Sequence, residues 1–192
     1  MTRAVRGPAV LAAILLVAVS ANAATVATFS DPALDETTPL FQLAGTTFTG
    51  GWSEPGLVLE LPTIGQTWSD VTFTMTPLDA SAAPILPGGT VQFFKSAADG
   101  GGLVLQIDFA SALLLVPIGW GGSDPFLGNG VEISGPGLPP DLTDEVFSFS
   151  FANPAVTPEG ISFTAAFTSS AVPEPASLVL LGLGMISLIR RR

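Results

Sequence analysis

Residues 147–151 read Phe147-Ser148-Phe149-Ser150-Phe151, a strict alternation of aromatic and hydroxyl side chains. Successive side chains of a β-strand point to opposite faces of the sheet. In a strand, this spacing places the three rings on one face and both serines on the other. The stretch therefore predicts a β-strand with one buried face and one hydrated face.

The same period of two recurs along the chain, and no segment between residues 24 and 170 has an amphipathic helical period with good caps. Turn-forming residues separate the alternating runs, and we predict nine to eleven short strands. The apolar positions of the runs are Leu57, Leu59 and Leu61; Val71, Phe73 and Met75; Leu103, Leu105, Ile107 and Phe109; and Ile161, Phe163, Ala165 and Phe167. The turn signals include Gly50-Gly51, Pro87-Gly88-Gly89, Asp99-Gly100-Gly101-Gly102 and Gly135-Pro136-Gly137.

This pattern predicts an all-β domain over residues 24–171, built as a two-sheet antiparallel β-sandwich of jelly-roll type. An immunoglobulin-like sandwich is the alternative. A closed barrel is disfavoured, because the spacing of the strands is uneven. Ser169-Ser170-Ala171-Val172 is expected to be a short spacer between the last strand and the tail.

The charge of the middle segment excludes several kinds of partner. Residues 24–172 hold fifteen of the sixteen acidic residues and one basic residue, Lys95, which gives a net charge of about −14. Such a surface repels nucleic-acid phosphates and anionic lipid. The chain has no Cys and no His, so disulfides, thiolate chemistry and the commonest zinc ligand are absent.

The first 23 residues have the pattern of a secretory signal peptide. Arg3 and Arg6 supply the positive start, Ala9 to Val19 form an apolar helix, and Ala21-Asn22-Ala23 is an A-x-A cleavage site. We expect cleavage after Ala23, which would leave a domain that begins at residue 24.

The last 21 residues contain three successive segments. Val172-Pro173-Glu174-Pro175 is held extended by its prolines. Ala176 to Ile189 is an uncharged apolar run that spans about 21 Å as a single transmembrane helix. Arg190, Arg191 and Arg192 stop transfer and keep the C-terminus cytoplasmic. An ordinary membrane anchor, a GPI-attachment signal and a bacterial sorting signal all have such an apolar tail, although terminal arginines argue against GPI attachment.

The tetrapeptide, the short apolar run and the basic end together resemble the PEP-CTERM sorting signal, which exosortase-type enzymes recognise in Gram-negative bacteria. The resemblance covers residues 172–192. It implies export through the inner membrane, a transient single-pass precursor, and processing by an exosortase near Pro173, Glu174 and Pro175. It also implies a final place at the cell surface or outside the cell, in association with exopolysaccharide or biofilm.

Two sets of residues in the middle domain are candidate binding sites. Asp141, Asp144 and Glu145 cluster ahead of a strand and could bind Ca²⁺, or could be a solvated acidic loop. Trp52 and Trp120 lie beside glycines. An indole exposed on a flexible glycine loop could stack on a sugar ring, or both could plug the core. Indoles exposed beside Asp124 or Asp144 would favour sugar binding, and buried indoles would favour a structural role.

The sequence contains no recognisable catalytic motif. We therefore expect a non-enzymatic structural protein of the cell surface or extracellular matrix, with no cofactor other than possible Ca²⁺. The alternative is a carbohydrate-binding module, or a weak glycosidase that uses a pair of carboxylates.

Overall fold

Alternating side chains produce strands throughout the part of the chain whose structure is described. The computed structural model describes residues 23–33, 38–123 and 130–173, and these lie in one compact unit, Ala21–Glu174. The predicted signal helix and the predicted transmembrane helix both lie outside the described residues.

Thirteen strands form within the described ranges, together with short 3₁₀ turns at Pro62–Ile64 and Ala97–Asp99. In chain order the strands are β1 (Ala24–Phe29), β2 (Phe41–Ala44), β3 (Thr47–Trp52), β4 (Leu59–Leu61), β5 (Gln66–Trp68), β6 (Thr72–Met75), β7 (Leu78–Asp79), β8 (Ile85–Phe94), β9 (Leu103–Leu115), β10 (Gly119–Ser123), β11 (Val131–Ser134), β12 (Leu142–Thr157) and β13 (Gly160–Pro173).

The backbone pairing is antiparallel and closes on itself. Eight strands follow one another around a ring in the order β12, β10, β9, β8, β6, β3, β2 and β13, and β13 pairs again with β12. Strands β1, β4 and β5 continue outward from β13, while β11 adds to β9 and β7 adds to β3. The predicted antiparallel all-β class is confirmed. The predicted two-sheet sandwich is not, because one continuous pairing network forms a closed eight-stranded barrel with extra strands.

Uneven strand spacing is compatible with this closure because each long strand pairs with two shorter strands along one of its edges. Strand β13 pairs with β2 through Ile161–Phe163 and with β1 through part of 167–171, while its other edge follows β12. Strand β9 likewise pairs with β11 through 106–109 and with β10 through 113–115. Short strands therefore fill the ring between long ones, which the lengths of the sequence runs do not reveal.

Phenylalanine side chains from strands all around the barrel fill its core. The predicted inward positions are confirmed for Phe147 and Phe149 of β12 and for Phe163, Ala165 and Phe167 of β13, each at most 2% exposed. Phe149 lies at the centre: its ring centroid is 4.7 Å from that of Phe167 and 4.9 Å from that of Phe41. Such burial of aromatic surface is the main stabilising contribution in a domain without disulfides.

Two of the predicted glycine turns are wrong. Gly50-Gly51 lies inside β3 and Pro87-Gly88-Gly89 lies inside β8. A Cβ on Gly50 would overlap the Phe41 ring, and a Cβ on Gly88 would lie 2.6 Å from the Phe109 carbonyl oxygen. These glycines are needed for close packing within strands. The segments after Asp99 and around Pro136-Gly137 are turns, as predicted.

Candidate functional site

The last described strand runs directly into the tail. Strand β13 ends at Pro173, where Val172 pairs with Thr143 and Pro173 pairs with Leu142 at the start of β12. The predicted spacer at 169–172 is therefore wrong, because these residues are part of the strand. Glu174, Pro175 and Arg190 to Arg192 lie outside the described residues.

The two ends of the domain meet at this same place. Ala24, the first residue of β1, pairs with Ala171 of β13. Ala23 precedes it on the exposed surface, whereas Ala21 lies outside the described residues. Cleavage after Ala23 would thus create a new N-terminus beside the strand that leads into the tail. We call this end of the domain, defined by the pairs Ala24–Ala171 and Leu142–Pro173, the tail pole.

A bulge separates the last pairs of the tail pole from the rest of the ladder. The register of β12 and β13 shifts between the pair Thr143–Val172 and the pair Val146–Ser170. Asp144 and Glu145 of β12 occupy this interval, and Asp144 has a left-handed φ of 50°. An extra residue in one strand bends that strand and interrupts its pairing locally.

Glu145 lies two residues before the buried Phe147, so the period of β12 places its carboxylate on the inner face. Glu145 is 8% exposed, and its Oε2 accepts a hydrogen bond from the backbone N–H of Ile133 in β11. Burial raises the pKa of Glu145 to about 7, the Ile133 N–H acts in the opposite direction, and Glu132 adds a smaller repulsion. Through this contact, Glu145 joins the edge of β11 to β12.

The three carboxylates considered for Ca²⁺ therefore have different surroundings. Asp141 and Asp144 are exposed, whereas Glu145 is buried against β11. Over residues 23–33, 38–123 and 130–173, no group of three or more acidic side chains is arranged to hold a metal ion. The predicted grouping of these residues as metal ligands is thus not formed by the described structure.

Both candidate sugar-stacking indoles belong to the core. Trp52 is 6% exposed and Trp120 is 3% exposed. The Trp120 ring stacks on Phe149 with centroids 4.9 Å apart and an interplanar angle of 8°. The segment around Trp120 is strand β10, not the flexible glycine loop that sugar stacking would require. This burial favours the structural role of both indoles over stacking on a sugar.

The outer face of the barrel carries a groove of about 510 Å³ across β9, β10, β12 and β13. One wall is aliphatic and consists of Leu113, Leu115 and Ile118, of which Ile118 is 71% exposed. The floor follows Gly119 and Gly121, where a Cβ would overlap the β12 backbone. We call this feature the outer groove.

The opposite wall of the outer groove is lined by hydroxyl groups. Ser148 and Ser150 alternate outward along β12, opposite the rings that fill the core, and Thr168 of β13 pairs with Ser148. None of the residues that line the groove is ionisable, although the domain is strongly acidic. A surface with aliphatic and hydroxyl sides and no charge is suited to an uncharged ligand with apolar and hydroxyl faces.

Sequence reasoning missed both the outer groove and the inward position of Glu145. The alternating serines and the spacing of Gly119 and Gly121 were visible signals for the groove. Their meaning depends on β10 lying between β9 and β12, which the sequence does not specify. The period of β12 places Glu145 on the same face as Phe147, but the hydrogen bond that it accepts from Ile133 depends on the position of β11.

No helix within the described ranges is long and apolar enough to cross a membrane.

Comparison with known proteins identifies the tail. The family model described as the PEP-CTERM protein-sorting motif matches residues 171–192. No curated protein and no solved structure matches this chain significantly. The match agrees with the resemblance in the sequence and supports an exported protein that an exosortase processes. The chain thus carries a PEP-CTERM sorting motif that begins within the last strand of its β-domain.

Proposed function

We propose that this protein is a structural component of the cell surface or the extracellular matrix, sorted there by its PEP-CTERM tail. The observation that carries the proposal is the motif at residues 171–192, directly joined to a folded all-β domain. In this proposal, the precursor is held in the inner membrane of a Gram-negative bacterium with a cytoplasmic C-terminus. An exosortase-type enzyme processes it, and the β-domain then associates with exopolysaccharide or biofilm.

A non-enzymatic role for the domain is part of the proposal. The domain has a net charge of about −14, which favours solubility. Its largest side chains, including both candidate indoles, are committed to the core. These features support a rigid module whose surface, and not a catalytic cleft, carries its role.

The sorting step is tested by replacing Pro173, Glu174 and Pro175 with alanine in the native host. We expect the variant to stay in the inner membrane fraction, whereas the wild-type protein reaches the surface or the medium. A control variant with Pro154→Ala, in the exposed part of β12, should fractionate like the wild type. Identical fractionation of the triple variant and the wild type would contradict the sorting proposal.

A second candidate function is binding of a neutral polysaccharide in the outer groove. The observation that favours it is the absence of ionisable side chains among the residues lining a 510 Å³ groove on a domain of about −14 charge. Aliphatic side chains can cover the apolar face of a sugar ring while serine and threonine hydroxyls bond its edge.

Affinity electrophoresis in gels that contain a neutral or an anionic polysaccharide tests this candidate. We expect retardation by the neutral polymer only, and loss of retardation in a Leu115→Asp variant that places a charge on the aliphatic wall. Val58→Asp adds the same charge at another exposed aliphatic position and serves as the control. Equal retardation of both variants would exclude the outer groove as the binding site.

A further inference from the structure

The first half of the sorting motif is part of the folded domain. Val172 and Pro173 are paired with Thr143 and Leu142 of β12, so one edge of this backbone is occupied by a neighbouring strand. An enzyme that encloses an extended substrate in a cleft contacts the chain along both edges, unlike a partner that adds to one free edge. A strand held along one edge by its own domain cannot enter such a cleft.

The sequence leaves almost no free chain beyond this point. Only Glu174 and Pro175 separate the end of β13 from the apolar run that starts at Ala176. Two extended residues span about 7 Å. A membrane enzyme would therefore find only two free residues between the end of β13 and the apolar run, unless more chain is released from the fold.

The bulge at Asp144 and Glu145 sets how much chain can be released at low cost. It interrupts the β12–β13 ladder between Thr143–Val172 and Val146–Ser170. Opening on the tail side of the bulge breaks two cross-strand pairs and leaves the ladder from Val146 onward intact. Local openings at the ends of strands are the least costly motions of a folded domain.

We propose that the sorting enzyme engages the motif only after Val172 and Pro173 detach from Thr143 and Leu142, so that the bulge is the hinge of this detachment. The stability of these two terminal pairs then controls the rate of processing, because cleavage of a transiently opened segment follows the population of the open form. This inference rests on the proposed sorting function.

A disulfide lock tests the inference, and the chain has no cysteine of its own to interfere. Thr143→Cys with Val172→Cys joins direct cross-strand partners, whose spacing suits a disulfide. Val156→Cys with Ile161→Cys, at the far end of the same two strands, is the matched control lock. The full-length precursor is followed in membranes of the native host, by electrophoresis and mass spectrometry, under oxidising and reducing conditions.

We expect the disulfide between Thr143→Cys and Val172→Cys to slow processing by about tenfold or more, and a reducing agent to restore the wild-type rate. The control lock should leave the rate unchanged. Leu142→Gly, which weakens the terminal pair, should speed processing severalfold. Thermal unfolding of the oxidised variants establishes that both locked proteins are folded.

Equal rates of processing for the oxidised Thr143→Cys/Val172→Cys variant and the wild type would overturn the inference while leaving the sorting function intact. The enzyme would then read the motif from the unpaired edge of β13, or from Glu174 onward. Absence of processing in the wild type as well would instead overturn the proposed sorting function.

Discussion

At the scale of single residues, Glu145 couples the fold to pH. Its pKa is raised from 4.5 to about 7, mainly by burial, so the folded protein retains a proton there that the unfolded chain has lost. The unfolded state therefore binds fewer protons between these two values, and stability falls as the pH rises through this window. Below about pH 4.5 the carboxyl is protonated in both states and causes no penalty.

We predict that Glu145→Gln removes this component of the pH dependence. The wild type should lose about 1–3 kcal/mol of stability between pH 4.5 and pH 7 through this group, and the glutamine variant should not. Urea unfolding at several pH values measures both profiles. Glu60→Gln makes the same charge change at an exposed position and should keep the wild-type profile. Parallel profiles for wild type and Glu145→Gln would contradict the assignment.

Trp120 gives a second prediction at this scale. Its indole contacts Phe41, Phe48 and Phe149, and its Nε1–H has no hydrogen-bond acceptor within the described structure. Trp120→Ala should cost about 3–5 kcal/mol because it leaves a large cavity. Trp120→Phe should cost clearly less, since it keeps most of the packing and removes an unsatisfied donor. Chemical denaturation of both variants measures the difference, and equal losses would contradict a packing role.

At the scale of elements, the glycines of β10 allow this strand to lie close to β12. A Cβ on Gly121 would overlap the Phe147 carbonyl oxygen, so Gly121→Ala must push the strands apart and should cost about 1–3 kcal/mol. Gly130 has nothing within 4 Å of its Cβ position, so Gly130→Ala should change stability by less than about 0.5 kcal/mol. Thermal unfolding compares the two, and equal stabilities would show that β10 and β12 are farther apart.

These glycines also show how far the sequence could predict the elements. Alternation of apolar and mainly hydroxyl side chains located β12 and β13 and their buried faces, because strand period is a local property. The same local reasoning assigned Gly50-Gly51 and the segment around Trp120 to turns or loops. A glycine that makes room for a neighbouring strand has the same local sequence as a turn glycine. The difference lies in partners far along the chain, as Phe41 is for Gly50.

Some of the candidate sites could likewise be predicted from local sequence, and others could not. The tail could be identified from sequence because its recognition depends on contiguous residues, and residues 171–192 match the sorting motif. The position of Trp120 in the core, the contact of Glu145 with β11 and the outer groove each require the order of strands around the barrel. Closure depends on which strands share the long β9 and β13, and alternation alone does not encode that choice.

At the scale of the whole molecule, repulsion among acidic side chains lowers the stability of the folded domain. The domain from residue 24 to 172 has a net charge of about −14, and its single basic side chain, Lys95, lies 5.4 Å from the centroid of the Trp68 ring. Mutual repulsion among so many carboxylates destabilises a compact state, and salt screens repulsion between exposed charges. We therefore predict that raising NaCl from low to physiological ionic strength increases the melting temperature by about 2–4 °C.

The same measurement separates general screening from a specific Ca²⁺ site. Because the described carboxylates form no group arranged for a metal ion, CaCl₂ and MgCl₂ at matched ionic strength should raise the melting temperature equally. A specific site would instead stabilise the folded state in proportion to the logarithm of the Ca²⁺ concentration. If Ca²⁺ alone gave a further, saturable increase, and Asp141→Asn with Asp144→Asn removed it, the acidic segment before β12 would be a calcium site after all. An equal response to both ions would leave screening of the acidic surface as the physical cause.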